Sequence, residues 1–321
     1  MKRRRFLEFC AGAAVSAAPR GVALALEYPA RPVRIVVPYP PGIAPDIVAR
    51  LVAQALSERL KQQFVVDNRP GGASNVGTSI VAHAPPDGYT LLVVTTTNTI
   101  NTSLYDNLDF NLIRDIAPVA GLVRLSLVLA VHPSVPAQTL PEFIAYAKKN
   151  PGKINYASVG SGAATNVAGE LFKEMAGVNL VNVPYRSSYM PDLISGQVQA
   201  AFPPILQSLE YIKAGRLRAL AVTGATRSEA LPGIPAAAEF VPGYEASVWD
   251  ALGAPAKTPA DIIDALNQET NAVLSEARMK AQFTALGAEP MLMTPAEFGK
   301  YIAAETEKWG RVVKSARIKV D

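Results

Sequence analysis

Short apolar runs alternate with stretches of helical period along most of the chain. Residues 33–37 (Val-Arg-Ile-Val-Val) form a β-branched run, the mark of a buried strand. Over 45–60, Ile47, Val48, Leu51, Ala55, Leu56 and Leu60 recur on one face at helical spacing. A second strand is expected at 64–67, ended by Asn68-Arg69-Pro70-Gly71-Gly72. A short helix at 76–83 and a Pro85-Pro86-Asp87-Gly88 turn then lead to a strand at 89–95. The pattern restarts at a strand over 125–131, a helix over 140–149 and a strand over 154–158. A helix at 165–175, a strand at 180–183, a short helix at 190–194 and strands at 198–202 and 217–223 follow. Helices at 260–278 and 295–314 flank a short segment at 287–292 and close the chain. This strand–helix–strand repetition predicts an α/β protein with mainly parallel sheets, built as two α/β units.

Charge changes the picture only at the N-terminus. The 321 residues carry a formal +4. Lys2, Arg3, Arg4, Arg5 and Arg20 against Glu8 account for all of it, so the rest of the chain balances at zero. Without a basic excess there is little to neutralise phosphates, and nucleic acid is not an expected partner. Residues 1–25 read as an export signal: a charged start, an apolar stretch over 11–18 and a small-x-small site at Ala23-Leu24-Ala25. The adjacent arginines before Phe6-Leu7 suit a twin-arginine route, while Glu8 leaves the general secretory route open. Cys10 is the sole cysteine, and Glu8 and Phe9 argue against a lipidation site there. Cleavage would leave neither a disulfide nor a thiol nucleophile. Beyond the N-terminus no run reaches the ~18 apolar residues of a membrane span.

In open α/β sheets ligands bind beyond the carboxyl ends of strands, where loops feed helix N-termini. Four loops fit. Tyr39-Pro40-Pro41-Gly42-Ile43-Ala44 enters a helix through Pro45-Asp46, with no side-chain oxygen at the cap, so its N–H groups and dipole suit a carboxylate. Ser158-Val159-Gly160-Ser161-Gly162-Ala163-Ala164-Thr165-Asn166 offers backbone donors beside two glycines and the hydroxyls of Ser161 and Thr165. Three or four charge-assisted bonds of roughly 1.5–3 kcal/mol each would account for most of a micromolar affinity, about −8 kcal/mol. Thr95-Thr96-Thr97-Asn98-Thr99 presents neutral hydroxyl and amide groups, and Tyr185-Arg186-Ser187-Ser188 the one nearby cation.

Enzymatic signatures are thin. Gly160-x-Gly162 lacks the third glycine of a dinucleotide loop and an acid for the ribose, and glycines flank Ser161 too closely for a nucleophile elbow. His83 and His132 are the only histidines and have no second ligand at metal spacing. No cofactor, metal or catalytic residue is expected.

Several segments together resemble the extracytoplasmic receptors of tripartite tricarboxylate transporters, the Bordetella uptake gene family. They are 32–42 with 46–50, 66–72 with Asn75 and Gly77, 86–92, 168–172, 183–186, 220–224 and 249–259, in order along nearly the whole chain. The resemblance implies a type II periplasmic-binding fold: two α/β domains, a central cleft and two crossing strands. The expected division is 26–125 with 226–321 as one domain and 126–225 as the other. It also implies a periplasmic solute-binding protein that captures a small carboxylate for a membrane permease, and we expect a monomer. A secreted sensor for a membrane kinase and, further off, an enzyme acting on a carboxylate stay open. The expected ligand-binding residues are Tyr39, Pro41, Gly42, Ile43, Asp46, Thr96, Thr97, Asn98, Ser158, Gly160, Ser161, Gly162, Ala163, Thr165, Asn166, Tyr185, Arg186, Phe202 and Pro203. Two departures from the receptors' pattern stand out. Ile43 and Pro45 replace a glycine and a threonine, and Pro203 stands where an aspartate follows the strand phenylalanine. Without that aspartate, a plain carboxylate is expected over a zwitterionic amino acid.

Overall fold

The structure, a computed structural model, describes residues 28–185 and 188–319. The export signal read at 1–25 and the candidate Arg186 lie outside the described residues. The first half opens with β1 (Val33–Val37), α1 (Ala44–Leu60), β2 (Phe64–Asn68), α2 (Asn75–Ala82) and β3 (Thr90–Thr95). β1 pairs in parallel with both β2 and β3. Val33, Ile35, Val36 and Val37 are fully buried, as a strand packed on both faces requires. α3 (Thr96–Leu104) and α4 (Leu112–Asp115) lead into the long β4 (Ile116–Ser126).

The chain then enters a second sheet. β5 (Val128–Val131), α5 (Leu140–Lys149), β6 (Asn155–Ser158), α6 (Ala164–Ala176), β7 (Val181–Pro184), α7 (Met190–Ser195), β8 (Ala200–Ala201), α8 (Ile205–Lys213) and β9 (Arg218–Val222) build it, in the order β7-β6-β8-β5-β9. β10 (Ser247–Pro255) returns to the first sheet. α9 (Ala260–Ser275), α10 (Ala277–Ala285), β11 (Ala288–Pro290) and α11 (Pro295–Ser315) follow. The first sheet runs β11-β4-β10-β3-β1-β2.

Both sheets are mixed rather than mainly parallel. β10 lies antiparallel between β3 and β4, and β5 lies antiparallel between β8 and β9. These are the strands that carry the chain between halves, and each arrives at its sheet from the other half rather than from a helix crossover. The helix expected over 260–278 is two helices, because Glu276 is extended (ψ 136°) and ends α9.

The chain crosses twice, at Leu127 and at Ala246–Ser247, and Thr223 bonds the two crossings to each other. The buried Thr223 hydroxyl accepts from Leu127 N–H at 3.0 Å and donates to the Ala246 carbonyl at 2.8 Å. Thr223 N–H donates to the Leu127 carbonyl and Ala246 N–H to the Thr223 carbonyl. α11 also spans both halves. Phe298 and Ile302 join the core around Trp249, whereas Trp309, Val312 and Val313 join the core under the second sheet. The buried Glu305 carboxylate accepts from the indole N–H of Trp249 at 3.0 Å and of Trp309 at 2.9 Å, and pairs with Lys308.

Replacing Thr223 with valine keeps the shape and leaves Leu127 N–H and the Ala246 carbonyl short of a partner. A buried group so orphaned costs about 1–3 kcal/mol. The urea midpoint of Thr223→Val should fall accordingly with the denaturant slope unchanged.

Candidate functional site

The carboxyl ends of β1 and β6 feed two helices built alike. α1 follows Gly42-Ile43 and α6 follows Gly162-Ala163; neither has a side chain capping its first N–H groups. In each, the third helical residue reaches back four positions to the glycine. Asp46 Oδ2 accepts from Gly42 N–H at 2.8 Å, and Asn166 Oδ1 from Gly162 N–H at 2.9 Å. That bond fixes each loop from behind and takes the Asx side chain out of competition for the helix end. In α1 the Asp46 N–H turns to the Ile43 carbonyl and Pro45 has none, which leaves that of Ala44, and the Asp46 carboxylate already offsets part of the dipole. In α6 the N–H groups of Ala164 and Thr165 are left. Gly42 and Gly162 have φ of +85° and +77°, a region an L side chain enters only with strain.

Asp46 and Asn166 therefore position the loops rather than reach outward. Asp46 is buried, and its carboxylate also accepts from Asn68 Nδ2 at 2.8 Å and from Arg50. Burial opposes ionisation of Asp46, but the bonds from Arg50, Gly42 and Asn68 outweigh it and hold the carboxyl below its ordinary range. Asn166 donates to the Tyr156 hydroxyl at 3.1 Å. Thr165 Oγ1 accepts from Val159 N–H at 3.1 Å, and the buried Ser158 hydroxyl donates to Asn182 at 2.9 Å.

The threonine row is not a loop. Thr96 begins α3, its hydroxyl accepts from Trp249 N–H at 2.9 Å, and it is fully buried. Asn98 accepts from Thr95 N–H at 2.8 Å and donates to Thr78 at 2.7 Å. Of the three expected contacts there, Thr97 alone keeps partial exposure. Tyr39 is half-buried, its hydroxyl 3.1 Å from Thr95 Oγ1. Pro41, Gly42 and Ile43 are exposed, and Ser161 and Ala163 partly so. A side chain at Gly160 would enter open space, whereas a Cβ at Gly162 would come within 2.2 Å of Leu104 on α3. The second glycine loop thus abuts the first half.

Two expected contacts sit differently. Phe202 is fully buried in the core under the second sheet, edge-on to Tyr156, with Phe172 at 5.8 Å. Pro203 is buried and its carbonyl accepts from Val128 N–H. Tyr185 donates to Asp192 at 2.7 Å; burial and that carboxylate push its phenol up to about 12. His83 lies against the Ser79 carbonyl and His132 against Ser134. Among the described residues no cluster of three His, Cys, Asp or Glu could hold a metal ion, and no helix is long and apolar enough to cross a membrane.

One residue at this edge escaped the sequence reading. Asp250 on β10 is the cross-strand partner of Thr95, the last residue of β3. It is 1 % exposed, and its Oδ2 is buried without a hydrogen-bond partner. Burial pushes its carboxyl up to about 7.

Comparison with known proteins decides the family. The model of the tripartite tricarboxylate transporter family receptor matches residues 48–318. The chain belongs to that family. It is 35 % identical to protein BugT of Bordetella pertussis over 298 residues, 91 % of either chain. Among solved structures it is similar to R. palustris Rpa4515 with adipate (35 % identity, TM-score 0.79, 92 % of this chain and 100 % of that one). It is also similar to MatC from Rhodopseudomonas palustris with bound malate (28 %, TM-score 0.75, 89 % and 100 %). The type II periplasmic-binding fold expected from the sequence is the fold this receptor has.

Asp250 gives a stability signature. Its carboxyl is ionised from about pH 4 in the unfolded chain but only above about 7 when folded. Folding is therefore penalised increasingly between those values, and constantly above them. Asp250→Asn should melt like the parent near pH 4, gain over it as pH rises to about 7, and hold a constant margin beyond. Melting temperatures from pH 4 to 8 check this; a margin independent of pH contradicts it.

Proposed function

We propose that this receptor is exported to the periplasm and holds a small carboxylate between its two uncapped helix N-termini, one from each half. A membrane permease would take the ligand from it. The observation that carries the reading is the repeated device at Gly42–Asp46 and Gly162–Asn166, which orders two loops while leaving their helix ends open. Backbone donors of this kind bind an anion without chemistry. The adipate and malate named with two similar structures support a carboxylate as the ligand class. The two sheets act as domains that close about the crossings at Leu127 and Ala246–Ser247, bringing the helix ends onto one ligand. Export follows from the charged start and the Ala23-Leu24-Ala25 site.

A thermal-shift screen of mono-, di- and tricarboxylates, aromatic acids, sugars and amines tests the ligand class. An acid present at 100 times its Kd should stabilise the fold by ~2.7 kcal/mol. Shifts from sugars or amines alone would overturn the reading. Gly162→Val places a branched side chain against Leu104 at positive φ and should weaken binding of the best acid at least about tenfold, with native circular dichroism. Unchanged affinity in calorimetry would move the site elsewhere. Intact mass of the exported protein should correspond to a chain beginning at Leu26.

A further inference from the structure

The two helix ends account for a ligand's negative charge, and Asp250 raises the question of what else the ligand carries. Its placement is specific. On β10, Trp249 and Ala251 turn toward the core that contains Phe298 and Ile302, while Leu252 belongs to the opposite core under α1. Asp250 shares that opposite face with Thr95, whose hydroxyl meets Tyr39. Tyr39 follows β1 and opens the very loop that leads to Gly42 and α1. The Asp250 carboxyl is close enough to the Tyr39 phenol to oppose its ionisation. Val248, two residues earlier on the same strand, packs against the cores of both halves. Asp250 is therefore at the ligand end of the first sheet, beside the junction, at the foot of one of the two anion-binding loops.

Its chemistry is equally distinctive. Among the described residues it supplies the only carboxylate oxygen that is buried without a partner. Asp46, the other acid in this loop, has both oxygens committed to Gly42, Asn68 and Arg50. No cation lowers the Asp250 carboxyl. A buried carboxyl kept partnerless is destabilising by itself, and its Oδ2 keeps an acceptor site that no group of the described chain fills. The groups around the helix ends are N–H donors, suited to a carboxylate; Asp250 is the acceptor that this set otherwise lacks.

We propose that Asp250 is a specificity-determining ligand contact: its carboxylate accepts a hydrogen bond from a donor, ammonium or hydroxyl, that the captured acid carries next to its carboxylate. The ligand class is then a small amino or hydroxy acid rather than a plain one. The expectation of a plain acid rested on Pro203 and the absence of a carboxyl there; Asp250 provides one from the other half of the molecule. The inference rests on the carboxylate reading above.

Calorimetry on the full exported chain with matched acids tests it. The sets are succinate, malate and aspartate; adipate, 2-hydroxyadipate and 2-aminoadipate; and phenylpropionate, phenyllactate and phenylalanine. In at least one set a donor-bearing member should bind at least about tenfold tighter than the plain acid. Which of the two wins distinguishes hydroxyl from ammonium. Asp250→Ala, which removes the acceptor, should bring that ratio to about one with native circular dichroism, and Asp250→Asn, which keeps an amide oxygen and loses the charge, should do so where an ammonium wins. A parent that binds all members of every set alike, or an Asp250→Ala ratio equal to the parent's, overturns the proposal and leaves the carboxylate reading intact. Plain acids that bind tightest, and tighten as pH falls through 7 in the parent but not in Asp250→Asn, overturn it too, because the carboxyl would then act as a proton-bearing donor. If no acid binds either protein, both readings fall together.

Discussion

The two halves are tied where the chain crosses between them, by the Thr223 hydroxyl and the backbone bonds beside it. Thr223 ties Leu127 to Ala246, so the outgoing and returning chains are held as one unit although each continues into a different sheet. The bonds are short and local, and they leave the bodies on either side joined by only a few residues of backbone at this point. A two-body protein needs such a link to be stiff in position and soft in angle. Here the two crossings are bonded side by side. α11 adds a second tie by packing its first half on one core and its last on the other.

The helix ends gain their value from this constraint. A lone helix N-terminus attracts anions weakly, and its field falls off within a turn. In the function proposed above two of them, one from each half, act on one small molecule together. The Asx–glycine bonds at Asp46 and Asn166 matter to that proposal for the same reason, because they order both loops in advance.

Much of this was legible in the sequence. The β-branched run at Val33–Val37 and the helix at Leu140–Lys149 lie where the pattern puts them, because burial on both strand faces, or on one helix face, writes itself into residue type. α3 was hidden: Thr96–Leu104 is rich in β-branched and short polar residues that favour extended chain or turns. It is helical because Asn98 caps it and Thr96, Thr99 and Ile100 are buried in tertiary contacts that no local pattern records. The same gap hides the partners that Asp46, Thr96 and Asn98 take within the chain, since a polar residue near a strand end serves a loop or a ligand equally well in one dimension. Phe202 went the same way, its aromatic ring serving the core. Asp250 left one trace, a lone acid inside the apolar stretch Ser247–Pro255, and only the sheet order shows which loops it faces.

The carboxylate of Glu305 has a consequence of a different sort. The chain contains two tryptophans, and both indole N–H groups bond that one side chain, Trp249 from a strand of the first sheet and Trp309 from the helix segment seated in the other core. Indole emission responds to charge and hydrogen bonding at the ring nitrogen. The tryptophan part of this chain's fluorescence thus originates around one carboxylate shared by the first sheet and α11, and any rearrangement at that point would register as a change of colour or intensity without an attached dye.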